Sequence, residues 1–404
     1  MIALEEAQSY VLSGCRALAP TPVTLAEAAG LVLAEPVVAD QAIPPFANTA
    51  MDGFALRADD VATAAPDNPV TLSVVGTLAA GTAPTRTVGA GEAVRIMTGA
   101  PMPDGADAVV MVELTALADD ETTVAVMADV PAGNHIRHPG EDVEPGQQVF
   151  EAGEFVSAGH LGVMASLGID QVNAHPRPRV GVMSTGDELV DGPAPLEPGQ
   201  IRDSNRRTLL ALVDDAGAIG VDLGLVPDTR DDLTRALTEG TQQCDAVLTS
   251  GGVSMGAFDY VRVVLDELGE MRWMQVAIKP AKPLAFGRIG STPVFGLPGN
   301  PVSSMVSFEL FARPGLRKMM GLDDLHRPRL SAVAGSDLRR HADGKTHFAR
   351  VVAEVGDDGR LRVRSAGGQG SHQLAAMAHA NALAVLPDGD GVTAGEPVGV
   401  MLLR

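Results

Sequence analysis

The sequence predicts a multidomain protein of α/β and β type, centred on an α/β unit with a mostly parallel sheet. Three patterns predict it. From about residue 180 to 268, strand-length apolar runs alternate with segments of helical period. From about 69 to 130, short β-branched runs alternate with turn residues, and from about 327 onward short strands return. The 404 residues leave room for several domains at about 150 residues each. The formal charge of −21 does not suit non-specific binding to a nucleic-acid backbone, so any bound phosphate must be held by a local cluster. Cys15 and Cys244 stand alone, which supports neither a disulfide framework nor a thiolate metal site. No basic-then-apolar leader opens the chain and no run of about 18 apolar residues occurs, so a cytoplasmic protein without a membrane partner is expected.

In chain order, Leu4, Ala7, Tyr10, Val11 and Leu12 mark a helix, and residues 24–30 a second, capped by Thr24 and ended by Gly30. The Pro-, Asn- and Gly-rich stretch 43–55 places Asp52 beside Gly53, as a turn former or as a site residue. Strands are expected over 70–75, 93–97, 108–112 and 123–126. The loop after the second of these has Thr98 at its mouth, a hydroxyl that caps a turn or meets a ligand. Gly140-Glu141-Asp142 reads as a solvated turn or as a pair of cation ligands, and Ser157 caps a helix over 158–166.

His175-Pro176-Arg177-Pro178 introduces the central unit. A strand at 180–184 runs into Gly186-Asp187-Glu188, Asp203-Ser204-Asn205 opens a helix to about 216, and a strand at 221–226 leads to Asp228 and a helix over 231–239. The strand at 246–248 enters a loop containing Ser250, Gly251, Gly252, Ser254 and Asp259 before the helix 260–268. Glycines let a backbone approach a ligand, and N–H groups at a helix start suit an anion. The loop is neither a Walker nor a dinucleotide motif, and a plain Gly-rich connector is the alternative. Glu188, Asp228 and Asp259 all fall at carboxyl ends of strands, where three acids form a divalent-cation and phosphate site. Lys279 and Lys282 sit on a turn stiffened by Pro280 and Pro283, which aims two ammonium groups at an oxyanion. A strand at 294–297 reaches the rigid loop Pro298-Gly299-Asn300-Pro301, which starts an apolar helix from Val302 towards Phe311 with Ser303 near its start. In the last segment, strands 347–352 and 361–364 flank Asp357-Asp358-Gly359, and the loop 367–371 precedes further strands at 382–386 and 398–403.

Seven motifs, in order, resemble the molybdopterin molybdenumtransferases, the bacterial enzymes similar to the E domain of gephyrin. They are Pro45-Phe46-Ala47-Asn48-Thr49-Ala50-Met51-Asp52-Gly53-Phe54-Ala55, Ile96-Met97-Thr98-Gly99-Ala100-Pro101, Gly140-Glu141-Asp142, Ser184-Thr185-Gly186-Asp187-Glu188-Leu189, Ser250-Gly251-Gly252-Val253-Ser254, Lys279-Pro280-Ala281-Lys282-Pro283 and Leu297-Pro298-Gly299-Asn300-Pro301-Val302-Ser303. The resemblance implies four units. These are a discontinuous N-terminal linker and dimerisation domain (1–44 with 141–177), an inserted β domain (45–140), a central molybdopterin-binding α/β domain (178–322) and a C-terminal β domain (323–404). It also implies a homodimer with a shared cleft, and a reaction in which adenylylated molybdopterin and molybdate give molybdenum cofactor and AMP with Mg²⁺. A molybdopterin adenylyltransferase and recipient molybdoenzymes would be transient partners.

By the same resemblance Glu188, Asp228 and Asp259 would hold Mg²⁺ and the pyrophosphate or pterin end of the substrate, beside the Ser250, Gly251, Gly252 and Ser254 loop. Asp52, Thr98 and Asp142 would complete the cleft from the partner subunit. Lys279, Lys282 and Ser303, with Pro298 and Pro301 shaping their loop, match oxyanion-binding positions, and Arg350 and Ser371 look like further molybdate contacts. Without the resemblance, Arg350 reads equally well as an exposed strand cation. An adenylyltransferase relative and a non-catalytic scaffold are the alternative functions; the intact acid and lysine set argues against the scaffold. Two positions depart from the family: His138 stands where Arg is common, and Ala281 where Gly is frequent. Ala281 must keep φ negative or carry left-handed strain of about 1 kcal/mol.

Overall fold

The structure is a computed structural model that describes residues 1–252 and 260–403. Its central sheet has six strands in the order Ile219–Val226, Arg179–Thr185, Ala246–Ser250, Thr292–Leu297, Pro283–Ile289, Glu270–Gln275. The first four are parallel and the last two antiparallel. Helix Asn205–Asp215 returns the chain to a parallel neighbour, helix Arg230–Gln243 crosses over Arg179–Thr185 to the strand beyond it, and both cover the faces, so every residue of Ala246–Ser250 is buried. That double cover is why the strand reads as an unbroken apolar run.

Two features of this unit were not expected. Glu270–Gln275 and Pro283–Ile289 extend the sheet, pairing Trp273 with Ala285, on both sides of the lysine turn. Only Met274 of the outer strand is fully buried, so it lacks a clear alternation. The helix expected to run towards Phe311 also continues: Pro301–Ser307 is α-helical, Phe308–Ala312 forms a π turn, and Arg313–Met319 is α-helical again. Pro314 has no N–H, and its ring would crowd the carbonyl four residues back, which a widened turn relieves. That carbonyl, of Leu310, accepts a hydrogen bond from Gln8 Nε2 at 3.0 Å.

Gln8 belongs to helix Leu4–Gly14, whose Leu4, Ala7 and Val11 enter the same core as Val180, Leu248, Phe295 and Phe311. The next segment turns away. Thr21–Thr24, Gln171–His175 and Val32–Leu33 form a three-stranded sheet, and the helix expected over 24–30 is the single turn Leu25–Ala28, capped reciprocally by Thr24 and Glu27. A second six-stranded sheet, Ala108–Met111, Gly53–Leu56, Glu92–Ile96, Val70–Leu78, Thr123–Val126, Thr115–Leu117, holds the inserted β region. A Cβ on Gly53 would lie 2.0 Å from the Val110 carbonyl oxygen, so only glycine permits the pairing that leaves Asp52 at the strand's mouth.

The C-terminal sheet runs Ile278–Lys279, Thr346–Val355, Leu361–Ser365, Arg329–Ala334, Pro397–Leu402, Ala382–Leu386, and closes on itself through pairing of Thr346–Val355 with Ala382–Leu386. Its first strand comes from the lysine turn, so the central and C-terminal units share a hydrogen-bonded edge. Among the described residues no helix is long and apolar enough to cross a membrane.

A buried ion cluster reinforces this junction. Glu309, 2% exposed, accepts from Arg327 through both oxygens (2.9 and 3.1 Å), while Arg313 Nη1 donates to Asp215 at 3.1 Å. Removing Glu309 leaves Arg327 and Arg313 to share the half-exposed Asp215, and losing one partner of a buried pair costs about 3–5 kcal/mol. Glu309→Leu is expected to lower the denaturant midpoint of the central unit accordingly. Fluorescence of Trp273, the single tryptophan of the chain, measures it; an unchanged midpoint would assign the cluster no role in stability.

Candidate active site

Two parallel strands deliver the acidic rim. Arg179–Thr185 ends into Gly186-Asp187-Glu188 and Ile219–Val226 into Pro227-Asp228. Gly186 has φ of +145°, and a Cβ there would lie 2.7 Å from Glu188 Oε2, so glycine lets the glutamate fold back over its own turn. The Asp228 amide donates to Asp187 Oδ1 at 3.3 Å. Burial first, and then the charges of Asp187 and Glu188, raise the Asp228 carboxyl pKa above its usual value. Asp228 Oδ1 is buried and has no partner among the described residues. Glu188 and Asp228 therefore share one rim; Ser254 and Asp259 lie outside the described residues.

Residues that sequence reasoning passed over hold this rim in place. Arg206 is 3% exposed and pairs with Asp203 (2.9 Å), Asp222 (2.6 Å) and Asp191. Asp203 also accepts from Ser184 Oγ at 2.9 Å, which fixes the end of the central strand to the start of helix Asn205–Asp215. Asn205 Nδ2 donates to Ser250 Oγ at 2.8 Å and to the Gly299 carbonyl at 2.7 Å, tying together two loops that carry expected site residues. Gly251 has φ of +106°, and a Cβ there would lie 2.8 Å from the Thr185 carbonyl oxygen. Asp203-Ser204-Asn205 signalled only a helix start, because these partners are distant in sequence.

The cationic side is assembled at the shared edge. Lys279 and Lys282 are exposed, and Ile278–Lys279 pairs in parallel with Thr346 and His347. Ala281 adopts φ of +74° and is 2% exposed, so the family departure takes the strained alternative, with its methyl group buried in the central core. Pro298 is buried, Pro301 starts helix Pro301–Ser307, and Ser303 is buried in that helix's first turn. The amide of Val302 donates to the Ser371 carbonyl at 3.1 Å. Arg350 is 0% exposed, which replaces the exposed-cation reading. Its Nη2 donates to the Gly368 and Gly370 carbonyls at 2.7 and 3.2 Å, while Nε and Nη1 have no partner among the described residues. Burial without a carboxylate partner lowers its pKa from the usual arginine range.

Asp52 and Thr98 meet in a third place. The Thr98 amide and hydroxyl both donate to Asp52 Oδ1, each at 2.7 Å, and these bonds hold the Asp52 carboxyl below its usual pKa. Asp142 is exposed and its amide donates to the Ile43 carbonyl at 3.0 Å. Among the described residues no hydrogen bond or ion pair joins this group to the acidic rim or the lysines.

Three family models match the chain in succession. They are the MoeA N-terminal region (domain I and II) over residues 2–168, the "Probable molybdopterin binding domain" over 181–318, and the MoeA C-terminal region (domain IV) over 332–403. The chain is 39% identical over 404 residues to the molybdopterin molybdenumtransferase of Haemophilus influenzae, covering 99% of this chain and 98% of that one. It is 42% identical over 397 residues to molybdopterin molybdenumtransferase 2 of Mycobacterium tuberculosis, covering 96% of each. The crystal structure of the molybdopterin biosynthesis MoeA protein from Pyrococcus horikoshii OT3 matches at a TM-score of 0.82 and 29% identity, covering 100% of both chains. With likeness running end to end in sequence and in fold, the chain belongs to the MoeA family of molybdopterin molybdenumtransferases, enzymes of molybdenum cofactor biosynthesis.

Proposed function

We propose that this chain inserts molybdate into adenylylated molybdopterin, with Mg²⁺-dependent release of AMP, to give molybdenum cofactor. The observation that carries the reading is the buried Arg350 guanidinium, with two nitrogens unpaired among the described residues, on the strand that pairs with the Lys279 segment. Molybdate is a tetrahedral dianion, and Arg350, Lys279, Lys282, the Ser303 hydroxyl and the Ser371 region can exchange its water shell for charge-assisted hydrogen bonds. The acidic rim takes the other end of the substrate. Glu188 and Asp228, with Asp259, would hold Mg²⁺, and the buried, unpartnered Asp228 oxygen fits a cation. Among the described residues no three acidic, His or Cys side chains close a ready metal centre. Mg²⁺ is suited to that arrangement, since it takes one or two carboxylates, several waters and substrate phosphates. When bound, it neutralises charge developing on the phosphate oxygens as the anhydride breaks.

Molybdenum is finally held by dithiolene sulfurs of the substrate, so the protein needs no thiolate. Burial pushes the Cys15 thiol up to about 12, which keeps it protonated and unsuited to ligate a metal. We read the cleft as shared across a homodimer in the cytoplasm, with Asp52, Thr98 and Asp142 coming from the second copy. An adenylyltransferase supplies the substrate and molybdoenzymes receive the product.

The deciding experiment incubates the protein with adenylylated molybdopterin, Mg²⁺ and molybdate and follows AMP. Release that depends on molybdate is the expected result; binding without release at any molybdate concentration overturns the reading. Asp228→Asn is expected to lower AMP release by more than the roughly 100-fold typical of a lost outer-shell metal partner. The same variant has an expected effect on stability without Mg²⁺. A carboxyl whose pKa is raised by folding costs nothing while protonated. It destabilises the fold as pH rises from its unfolded value of about 3.9 through the raised folded value. At pH 7 without Mg²⁺, Asp228→Asn should therefore melt above the parent, with the gap closing in acid; a lower melting temperature at pH 7 would contradict this. Arg350→Gln should raise the molybdate concentration for half-maximal AMP release by about 30-fold or more, the low end for a lost buried charge contact. An unchanged concentration removes Arg350 from the anion site.

A further inference from the structure

On one side, the strand bearing Arg350 loses its regular partner at the point where the arginine sits, while on the other Arg350 stays paired with Leu383. Its ladder with Leu361–Ser365 ends at the Val351–Ser365 pair. Beyond it the Arg350 carbonyl accepts from the Ala366 amide at 3.0 Å and from Gln369 Nε2 at 3.1 Å, while the Arg350 amide donates to Gln369 Oε1 at 2.9 Å, so the Gln369 side chain completes the rung. The same Nε2 donates to the Gly367 carbonyl at 3.1 Å, so the carboxamide also braces its own loop.

That loop touches both sides of the anion site. Gly368 and Gly370 accept from Arg350 Nη2, and the Ser371 carbonyl accepts from Val302 in the helix that carries Ser303. Gly367 has φ of +124°, a backbone conformation that favours glycine, and Gly368 packs against the Gln373 side chain. A Cβ on Gly368 would lie 2.3 Å from Gln373 Oε1, the atom that accepts from the Gly370 amide at 2.6 Å. Gln369 is thus the one long side chain of a tight turn, and it is spent on the backbone of Arg350 although its residue is exposed.

We propose that Gln369 is a positioning residue for the oxyanion: its carboxamide fixes the Arg350 peptide and the 367–371 loop, which together set the plane of the guanidinium and the direction of its unpaired N–H donors. The proposal rests on the reading of Arg350 as an anion contact. A planar five-donor group that is already oriented loses less freedom when it captures a tetrahedral anion. Loss of the carboxamide frees that plane without touching the acidic rim, so the effect falls on molybdate and not on the pterin substrate.

The test uses the full-length chain in the AMP-release assay. Gln369→Leu keeps an apolar Cβ–Cγ–Cδ stem and removes the carboxamide with its hydrogen bonds. It is expected to raise the KM for molybdate about tenfold, the scale of two lost neutral hydrogen bonds. Its kcat at saturating molybdate stays within about twofold, and its KM for adenylylated molybdopterin is unchanged. Gln369→Glu, which retains only the acceptor for the Arg350 amide, should fall between parent and Gln369→Leu. An unchanged KM for molybdate overturns the proposal, as does a joint loss in kcat and both KM values, the signature of general damage to the fold. Arg350→Gln, measured alongside, separates two failures. If it raises the KM for molybdate and Gln369→Leu does not, positioning alone is wrong; if neither does, the anion-site reading falls as well. Should Gln369→Leu not fold, Gln369→Asn, one methylene short, decides by the same KM comparison.

Discussion

A guanidinium buried without a carboxylate is the constraint on which the C-terminal half of this molecule depends. Arg350 cannot be neutralised by an ion pair, and burial alone shifts its titration. The fold meets that cost with the carbonyl groups of Gly368 and Gly370, brought in by a glycine-rich loop that opens with Gly367 at φ of +124°. The loop in turn needs an anchor, which it finds in Val302 of the central unit. The closed C-terminal sheet and the central sheet are therefore coupled in two ways, by the shared Ile278–Lys279 edge and by this strap. The cationic site exists only where the two units meet.

The acidic rim is built on the opposite electrostatic principle. Asp187, Glu188 and Asp228 crowd like charges at the carboxyl ends of two strands, and burial first, with that repulsion added, raises the Asp228 carboxyl. Such crowding is sustained by a rigid frame. Arg206 gathers three aspartates around one buried cation, and through Asp203 it fixes Ser184 at the end of the central strand. Asn205, its neighbour in sequence, ties Ser250 to Gly299. Removing a partner from such a network costs more than its net contribution to stability, so this frame holds the geometry of the site more than it stabilises the fold.

Much of the fold was legible because its signals are local. Apolar runs such as Ala246-Val247-Leu248 reveal strands covered on both faces, and Thr24 with Glu27 reveals a cap. The outer strand Glu270–Gln275 was not legible, since an edge that buries one residue carries no period. The continuation of the last central helix was hidden by Pro314, because the π turn before it and the donor from Gln8 lie outside any local rule. In the site, Glu188, Asp228, Lys279 and Lys282 stood out through strand-end position and proline-stiffened turns. Asn205, Arg206 and Gln369 did not, because each acts through partners that the chain reaches only after folding.

By itself, the sequence determined the order of strands and helices, the residue types gathered at each turn, and through its motifs the family. It also determined that Ala281 would face a choice, because a Cβ is compatible with only part of backbone space. Tertiary structure alone decided that choice, and it turned Arg350 from a solvent-facing cation into a buried donor. The physical reason is range. Hydrogen bonding along the chain and side-chain periodicity act over a few residues and are written locally. Burial, electrostatic crowding and the pairing of Gln369 with a strand nineteen positions away depend on which surfaces the fold presses together.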